Sequence, residues 1–294
     1  MTVLTVGAAA FAEPGAPAAN VARFAWPDGV LGSMTYSRSS KRSGRSTPVI
    51  RMTYRMAVRR SHDVAKIITW SQPTLDGIQE GSRLDLLVLI GAAVPPILID
   101  AETAEYVDPG PGAIETVLQS FVSATGKPLT SPARDVALSL LKVRGRNFWR
   151  ALVGRWVSMR LSPGSTSRRK GPLELPTTLP PMTGTSTLTV SHFEPCPNNG
   201  HARCVEIDET TDVPPADFVA MTRTASTKLG STPTELPKEA RITRVSFRFH
   251  LVTDPATLLP YSMRTEAESK GLYGGKEPIE EGETEEWTFS YDAK

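Results

Sequence analysis

Ile50-Arg-Met-Thr-Tyr-Arg-Met-Ala-Val58-Arg59 decides how this chain is read. Ile50, Met52, Tyr54, Met56 and Val58 alternate with Arg51, Thr53, Arg55, Ala57 and Arg59. Successive side chains of a strand point to opposite faces, so a period of two buries one row and leaves the other in water. Val30 to Arg38 before it and Val64 to Trp70 after it complete an antiparallel meander. Between the first two strands, Ser37 to Ser46 carries Arg38, Lys41, Arg42 and Arg45 with no acid. This stretch is read as a basic loop that keeps a sheet edge soluble or meets an anionic partner.

Helical periodicity follows. Leu84 to Val94 is apolar nearly all round, as in a helix buried between layers, and Pro95-Pro96 ends it. Ile97 to Val107 reads as two short strands around a turn. Ile114 to Ala124 and Pro132 to Val143 read as helices, the second capped by Ser131. Asn147 to Leu161 reads as a further helix, with Phe148, Trp149, Leu152, Val153, Trp156 and Val157 on one stripe opposite Arg146, Arg150, Arg155 and Arg160. Residues 162–184 are rich in Ser, Pro, Gly and Thr and read as a long loop or linker. Strand patterns return at Thr187 to Phe193, Arg203 to Glu209, Arg241 to Thr253, Tyr261 to Ala267 and Thr284 to Tyr291, with a helix over Pro215 to Lys228. In the best of these strands Val245, Phe247, Phe249 and Leu251 share a face. The fold class is α+β: a curved antiparallel sheet of two meanders covered by a central group of helices. One domain over residues 21–294 is expected, with 21–161 and 185–294 as separate domains the alternative.

The chain has 294 residues, of which 22 are Gly and 25 Pro, and its 33 Lys+Arg against 31 Asp+Glu give a charge of +2. Near-neutrality supplies no field for a nucleic-acid partner, and the basic stretches lack the interleaved aromatics on which bases stack. No nucleic-acid partner is expected. The balance hides segregation, because Glu277, Glu280, Glu281, Glu283, Glu285 and Glu286 form an acidic tract that complements the basic stretch. The longest uninterrupted apolar run, Leu86 to Val94, is far short of the ~18 residues that cross a bilayer.

Met1 to Ala12 is apolar and ends Ala10-Phe11-Ala12, like the end of a signal peptide without its basic front. Cys196 and Cys204 are the only cysteines and flank Asn198-Asn199-Gly200, which is turn chemistry. A hairpin centred on Gly200 sets the two opposite one another, within disulfide range. Free thiols, or a metal held by His192, Cys196, His201 and Cys204, are the rivals, the latter lacking a Cys-x2-Cys knuckle. Both the signal-like start and a disulfide point to the periplasm or secretion.

None of His62, His192, His201 and His250 lies in a recognisable catalytic or metal motif. There is no Gly-x-Ser-x-Gly elbow. Gly126-Lys127 and Gly275-Lys276 are followed by Pro128 and Glu277 where a phosphate loop needs Ser or Thr. Asp208-Glu209 with Asp212 lacks the glycine and the last glutamate of a calcium loop. No cofactor or metal is expected. The arginine-faced Trp149/Trp156 helix suits core packing; in a functional version it joins the Leu84 to Val94 helix over the sheet. Leu86, Trp149, Leu152, Trp156, Phe247 and Phe249 would then line an apolar cleft.

Four stretches carry a resemblance: Ile50 to Arg59, Pro95-Pro-Ile-Leu-Ile-Asp100-Ala-Glu-Thr-Ala-Glu-Tyr-Val107, Arg203-Cys-Val205, and Leu251-Val-Thr-Asp-Pro-Ala-Thr-Leu-Leu-Pro-Tyr261. Their order resembles a group of exported bacterial proteins and, more distantly, the half-barrel carriers of lipids and lipoproteins. That resemblance implies an apolar ligand or an envelope role and assigns no binding residue. The leading expectation is an exported, non-enzymatic protein that binds an apolar or envelope-derived ligand. The alternatives are a structural or interaction module of the envelope, and a hydrolase using His192 or His250 with a nearby acid.

Overall fold

The computed structural model describes residues 20–42, 45–61, 65–70, 74–76, 93–125, 131–173, 182–197, 199–228 and 240–292. Its first strands are β1 (Asn20–Val21), β2 (Leu31–Arg42), β3 (Arg45–Ser61), β4 (Ala65–Trp70), β5 (Thr74–Asp76), β6 (Ile97–Asp100) and β7 (Tyr106–Val107). Helices α1 (Pro111–Thr125) and α2 (Ser131–Trp149) follow, then a π-helical turn over Arg150–Gly154. After it come β8 (Arg160–Leu161), β9 (Thr166–Leu173), β10 (Met182–Val190), β11 (Glu194–Cys196), β12 (Asn199–Val213) and helix α3 (Pro215–Lys228). The chain closes with β13 (Ala240–Asp254), β14 (Leu259–Tyr273) and β15 (Glu277–Tyr291).

Among the described residues one open antiparallel sheet gathers 13 strands in the order β7-β6-β4-β3-β2-β15-β14-β13-β12-β10-β9, with β5 on β3 and β11 on β12. The two meanders are therefore one sheet, joined where the last long strand β15 pairs with β2, Trp287 opposite Tyr36 and Phe289 opposite Met34. The α+β reading holds, with helices packed on a predominantly β chain.

The alternation in β3 is realised as read. Ile50, Met52, Tyr54, Met56 and Val58 are buried while Arg51, Arg55 and Arg59 are exposed. Registers carry this inner face across to Met34 and Tyr36, Trp287 and Phe289, Met263, Leu251 and Ile207, all buried in one cluster. The same cluster contains Ile114 and Leu118 of α1, Ala137, Leu141, Phe148 and Trp149 of α2, and Leu152, Val153 and Trp156 beyond it. Gly145 lets α2 lie close to Pro95, since a Cβ there would sit 2.8 Å from the proline Cγ. A satellite core of Met182, Val213 and Val245 lies with Phe218 and Met221 of α3.

The outer face is a lattice of charge. Lys41 lies 2.9 Å from Glu280 and 3.4 Å from Glu268, and Lys270 lies 3.1 Å from Glu280. Lys41, then Lys270, hold the Glu280 carboxyl down to about 2. A carboxylate depressed below its unfolded value of ~4.3 stabilises the fold above that pH and loses this contribution as pH falls through the folded value. Carbon-detected titration is expected to give a Glu280 midpoint of about 2, rising in Lys41→Met. A midpoint of about 4.3 in the unaltered chain contradicts the cluster.

Four expectations change. The basic stretch is not a loop: β2 continues to Arg42 and β3 starts at Arg45. The acidic tract extends the strand beside it, so Arg38 meets Glu283 at 2.6 Å and Arg42 meets Glu281 at 3.8 Å. Residues 162–184 are not simply a loop, because β9 and the start of β10 fall there. β9 ends the sheet path, and an edge tolerates its Arg168, Arg169, Lys170, Gly171 and Pro172. The helix expected over Asn147 to Leu161 is the end of α2 run into the π turn, where Arg155 N–H donates to Arg150 C=O at 3.1 Å. Finally, Cys196 and Cys204 form the disulfide, at a Cα separation of 4.9 Å, yet they are not opposite in register. Cys204 faces Glu194 and Cys196 faces Asn199, with a shift after Pro195, so the hairpin turns before Gly200. Oxidised sulfurs cannot act as the thiolates that the alternative metal set of His192, Cys196, His201 and Cys204 requires.

The signal-like segment, His62 and the Leu84 to Ala92 part of the expected buried helix, Leu86 included, lie outside the described residues. Among the described residues no helix is long and apolar enough to cross a membrane.

Candidate functional site

The helical layer meets the sheet around Phe148, near the end of α2. Its ring centroid lies 6.0 Å from that of Trp70 on β4 and 5.9 Å from that of Trp287 on β15. One turn earlier on the helix, Arg144 sets its guanidinium 5.4 Å from the Trp287 centroid and donates to Glu285 at 3.3 Å. The Tyr36 hydroxyl donates to the same carboxylate at 2.9 Å. Burial first, and the Glu285 charge second, push that hydroxyl far above its ordinary range, so it remains a donor.

Three buried donors in this group make no hydrogen bond among the described residues: Trp70 Nε1, Trp287 Nε1 and Arg144 Nε. A buried donor left unpaired costs about 1–3 kcal/mol, so three on neighbouring side chains is a pattern that asks for an acceptor. Trp70 also borders a cavity of about 380 Å³, whose other walls include Leu31, Met56 and Ala57, with Arg55 and Asp292 beside them. Of the residues grouped about Phe148, Trp70 alone lines it.

Further along the same face, Glu209 of β12 is buried against Arg155, which follows the π turn, with Arg169 of β9 at 3.4 Å. The Arg155 guanidinium also lies 4.4 Å from the Trp156 centroid, and Trp156 stacks on Phe249 at 5.8 Å. Glu285 and Glu209 are thus acceptors for arginines that descend from the helical layer, and the two pairs pin that layer to the sheet.

The residues expected to line a cleft are distributed between two clusters. Trp149, Leu152 and Trp156 are at most 1% exposed and touch protein on all sides. Phe249 is half-buried beneath Trp156, whereas Phe247 packs 6.3 Å from Phe218 in the satellite core. Of the basic set, Arg38, Lys41 and Arg42 are in ion pairs with the acidic tract, and Arg45 opposes Arg42 at the hairpin end. The donors at Trp70, Trp287 and Arg144 were not singled out from sequence; helical spacing from Phe148 back to Arg144 was the available signal.

Of the two histidines offered to a hydrolase, His192 has its ring against Gly164. His250 Nδ1 lies 2.8 Å from Asp208 Oδ1 on the outer face, within hydrogen-bond reach. Glu206 joins that pair, the three ligand atoms lying within 4.8 Å of one another.

No protein-family model and no curated protein matches this chain. Among solved structures it is similar to one described as lipid–protein interactions in lipovitellin, with a TM-score of 0.43 and 9% identity over 90% of this chain and 25% of that one. The chain thus spans about a quarter of that protein's length. It is also similar to an outer membrane channel from Pseudomonas putida F1, with a TM-score of 0.17 and 8% identity over 96% of this chain and all of that one.

Proposed function

We propose that this chain is an exported, non-enzymatic protein that holds a lipid-like ligand, an apolar body bearing acceptor oxygens, where the helical layer meets the sheet at Phe148. The buried and unpaired Trp70, Trp287 and Arg144 donors, on side chains grouped about Phe148 and Trp287, carry this reading. Aromatic walls suit a chain of methylenes, and the donors suit a carbonyl or carboxylate oxygen. The Cys196–Cys204 bridge supports an oxidising compartment, where such bonds persist.

A second reading, an interaction module of the envelope, is favoured by the filled packing of Trp149, Leu152 and Trp156. Native mass spectrometry of protein purified from an oxidising compartment separates the two. The ligand reading expects a co-purifying apolar molecule; a bare polypeptide mass leaves the module.

A further inference from the structure

We propose that Glu206, Asp208 and His250 form a binding site for a zinc-class divalent metal ion on the outer face of the sheet. Glu206 and Asp208 are two residues apart on β12 and so project from one face, and His250 on β13 stands directly opposite Asp208. Cross-strand neighbours plus an i, i+2 pair are enough to bring three ligand atoms together on a rigid surface, and here those atoms lie within 4.8 Å of one another. The Glu206 backbone is fixed on both sides by Ser191, whose Oγ accepts from its N–H at 2.8 Å and whose N–H donates to its carbonyl at 2.9 Å.

Charge sets this cluster apart from the rest of the face. Asp212, Glu268, Glu280 and Glu286 lie 3.2, 3.4, 2.9 and 3.1 Å from an Arg or Lys nitrogen, and Glu266 pairs with Arg264 and Arg248. Asp208 has His250 at 2.8 Å instead, and Glu206 lies beside that pair. The Glu206 carboxylate, half-buried, makes no hydrogen bond or ion pair among the described residues. The charged group opposite His250 on β14 is Arg264, and it is held by Glu266 and Glu286. Two carboxylates facing one imidazole leave negative charge that a divalent ion offsets.

The donor set selects the ion. An imidazole nitrogen and carboxylate oxygens are both zinc ligands, and three protein ligands leave a fourth position open to water. Calcium takes about 6–8 oxygens, more than these three side chains supply, and magnesium prefers oxygen ligands to an imidazole nitrogen. The imidazole nitrogen that ligates must be unprotonated, so binding is competed by protons.

Calorimetric titration of the chelator-treated full chain with zinc alone tests this. One equivalent is expected to bind, with affinity about tenfold or more weaker in both His250→Ala and Glu206→Gln, since even outer-shell changes cost that much at metal sites. Unchanged urea midpoints of these surface variants show that folding is not the cause. Absence of zinc binding, or equal affinity in His250→Ala, overturns the proposal, the second outcome placing zinc on other histidines. The site is independent of the ligand reading above, so either can fail alone.

Discussion

Trp149→Ala is expected to lower the stability of the folded chain by about 3–5 kcal/mol, the range for deleting a large aromatic from a core. The side chain is 1% exposed, meets Phe24 and Trp26 edge-on at centroid distances of 5.3 and 5.7 Å, and donates from Nε1 to Ala104 C=O at 2.8 Å. Alanine therefore leaves a cavity and an unpaired carbonyl together. Equilibrium urea unfolding measures the loss. Should the alanine variant fail to fold, Trp149→Phe, which keeps most of the packing, is expected to fold with a smaller loss. A change below about 1 kcal/mol in the alanine variant contradicts the packing of the helical layer on the N-terminal entry.

Arg155→Met is expected to cost about 2–3 kcal/mol. Removing one partner of a buried ion pair strands the other charge, at about 3–5 kcal/mol when no substitute is near. Here Arg169 stands 3.4 Å from Glu209 and Arg155 is itself a quarter exposed, which reduces the loss. The double variant Arg155→Met/Glu209→Gln should regain most of the stability, because no buried charge is then left alone. Equal loss in single and double variants contradicts the pairing.

Legibility from sequence followed where the alternation was chemical. β3 and β13 were visible because large apolar groups alternate with arginine, and α3 begins at the residue its Pro-Ala-Asp start implies. β10 was only partly visible, since Thr183, Thr185, Thr187 and Thr189 keep a period of two while Gly184 and Ser186 on the other face are small. Its rhythm lies in branching at Cβ rather than in hydropathy. β9 carries Gly and Pro inside a basic run, a composition that reads as a linker unless the strand is known to lie at an edge. The ends of β2 and β15 were hidden for a related reason: their inward residues are charged, and only their pairing makes an extended strand of each. The π turn had no sequence signal, and it aligns Leu152, Val153 and Trp156 with the core while leaving Arg155 to reach Glu209. The donor group around Phe148 needed tertiary structure, because Trp70, Arg144 and Trp287 come from three distant segments.

Titration of a fluorescent fatty-acid probe into the unaltered chain and into Trp70→Phe/Trp287→Phe tests the proposed ligand site most directly. Phenylalanine keeps the aromatic walls and removes two donors unpaired in the protein alone. Saturable binding, weakened about tenfold in the double variant, is the predicted result, about 1.4 kcal/mol for the two lost hydrogen bonds. No saturable binding to the unaltered chain, or the same affinity in both proteins, contradicts it.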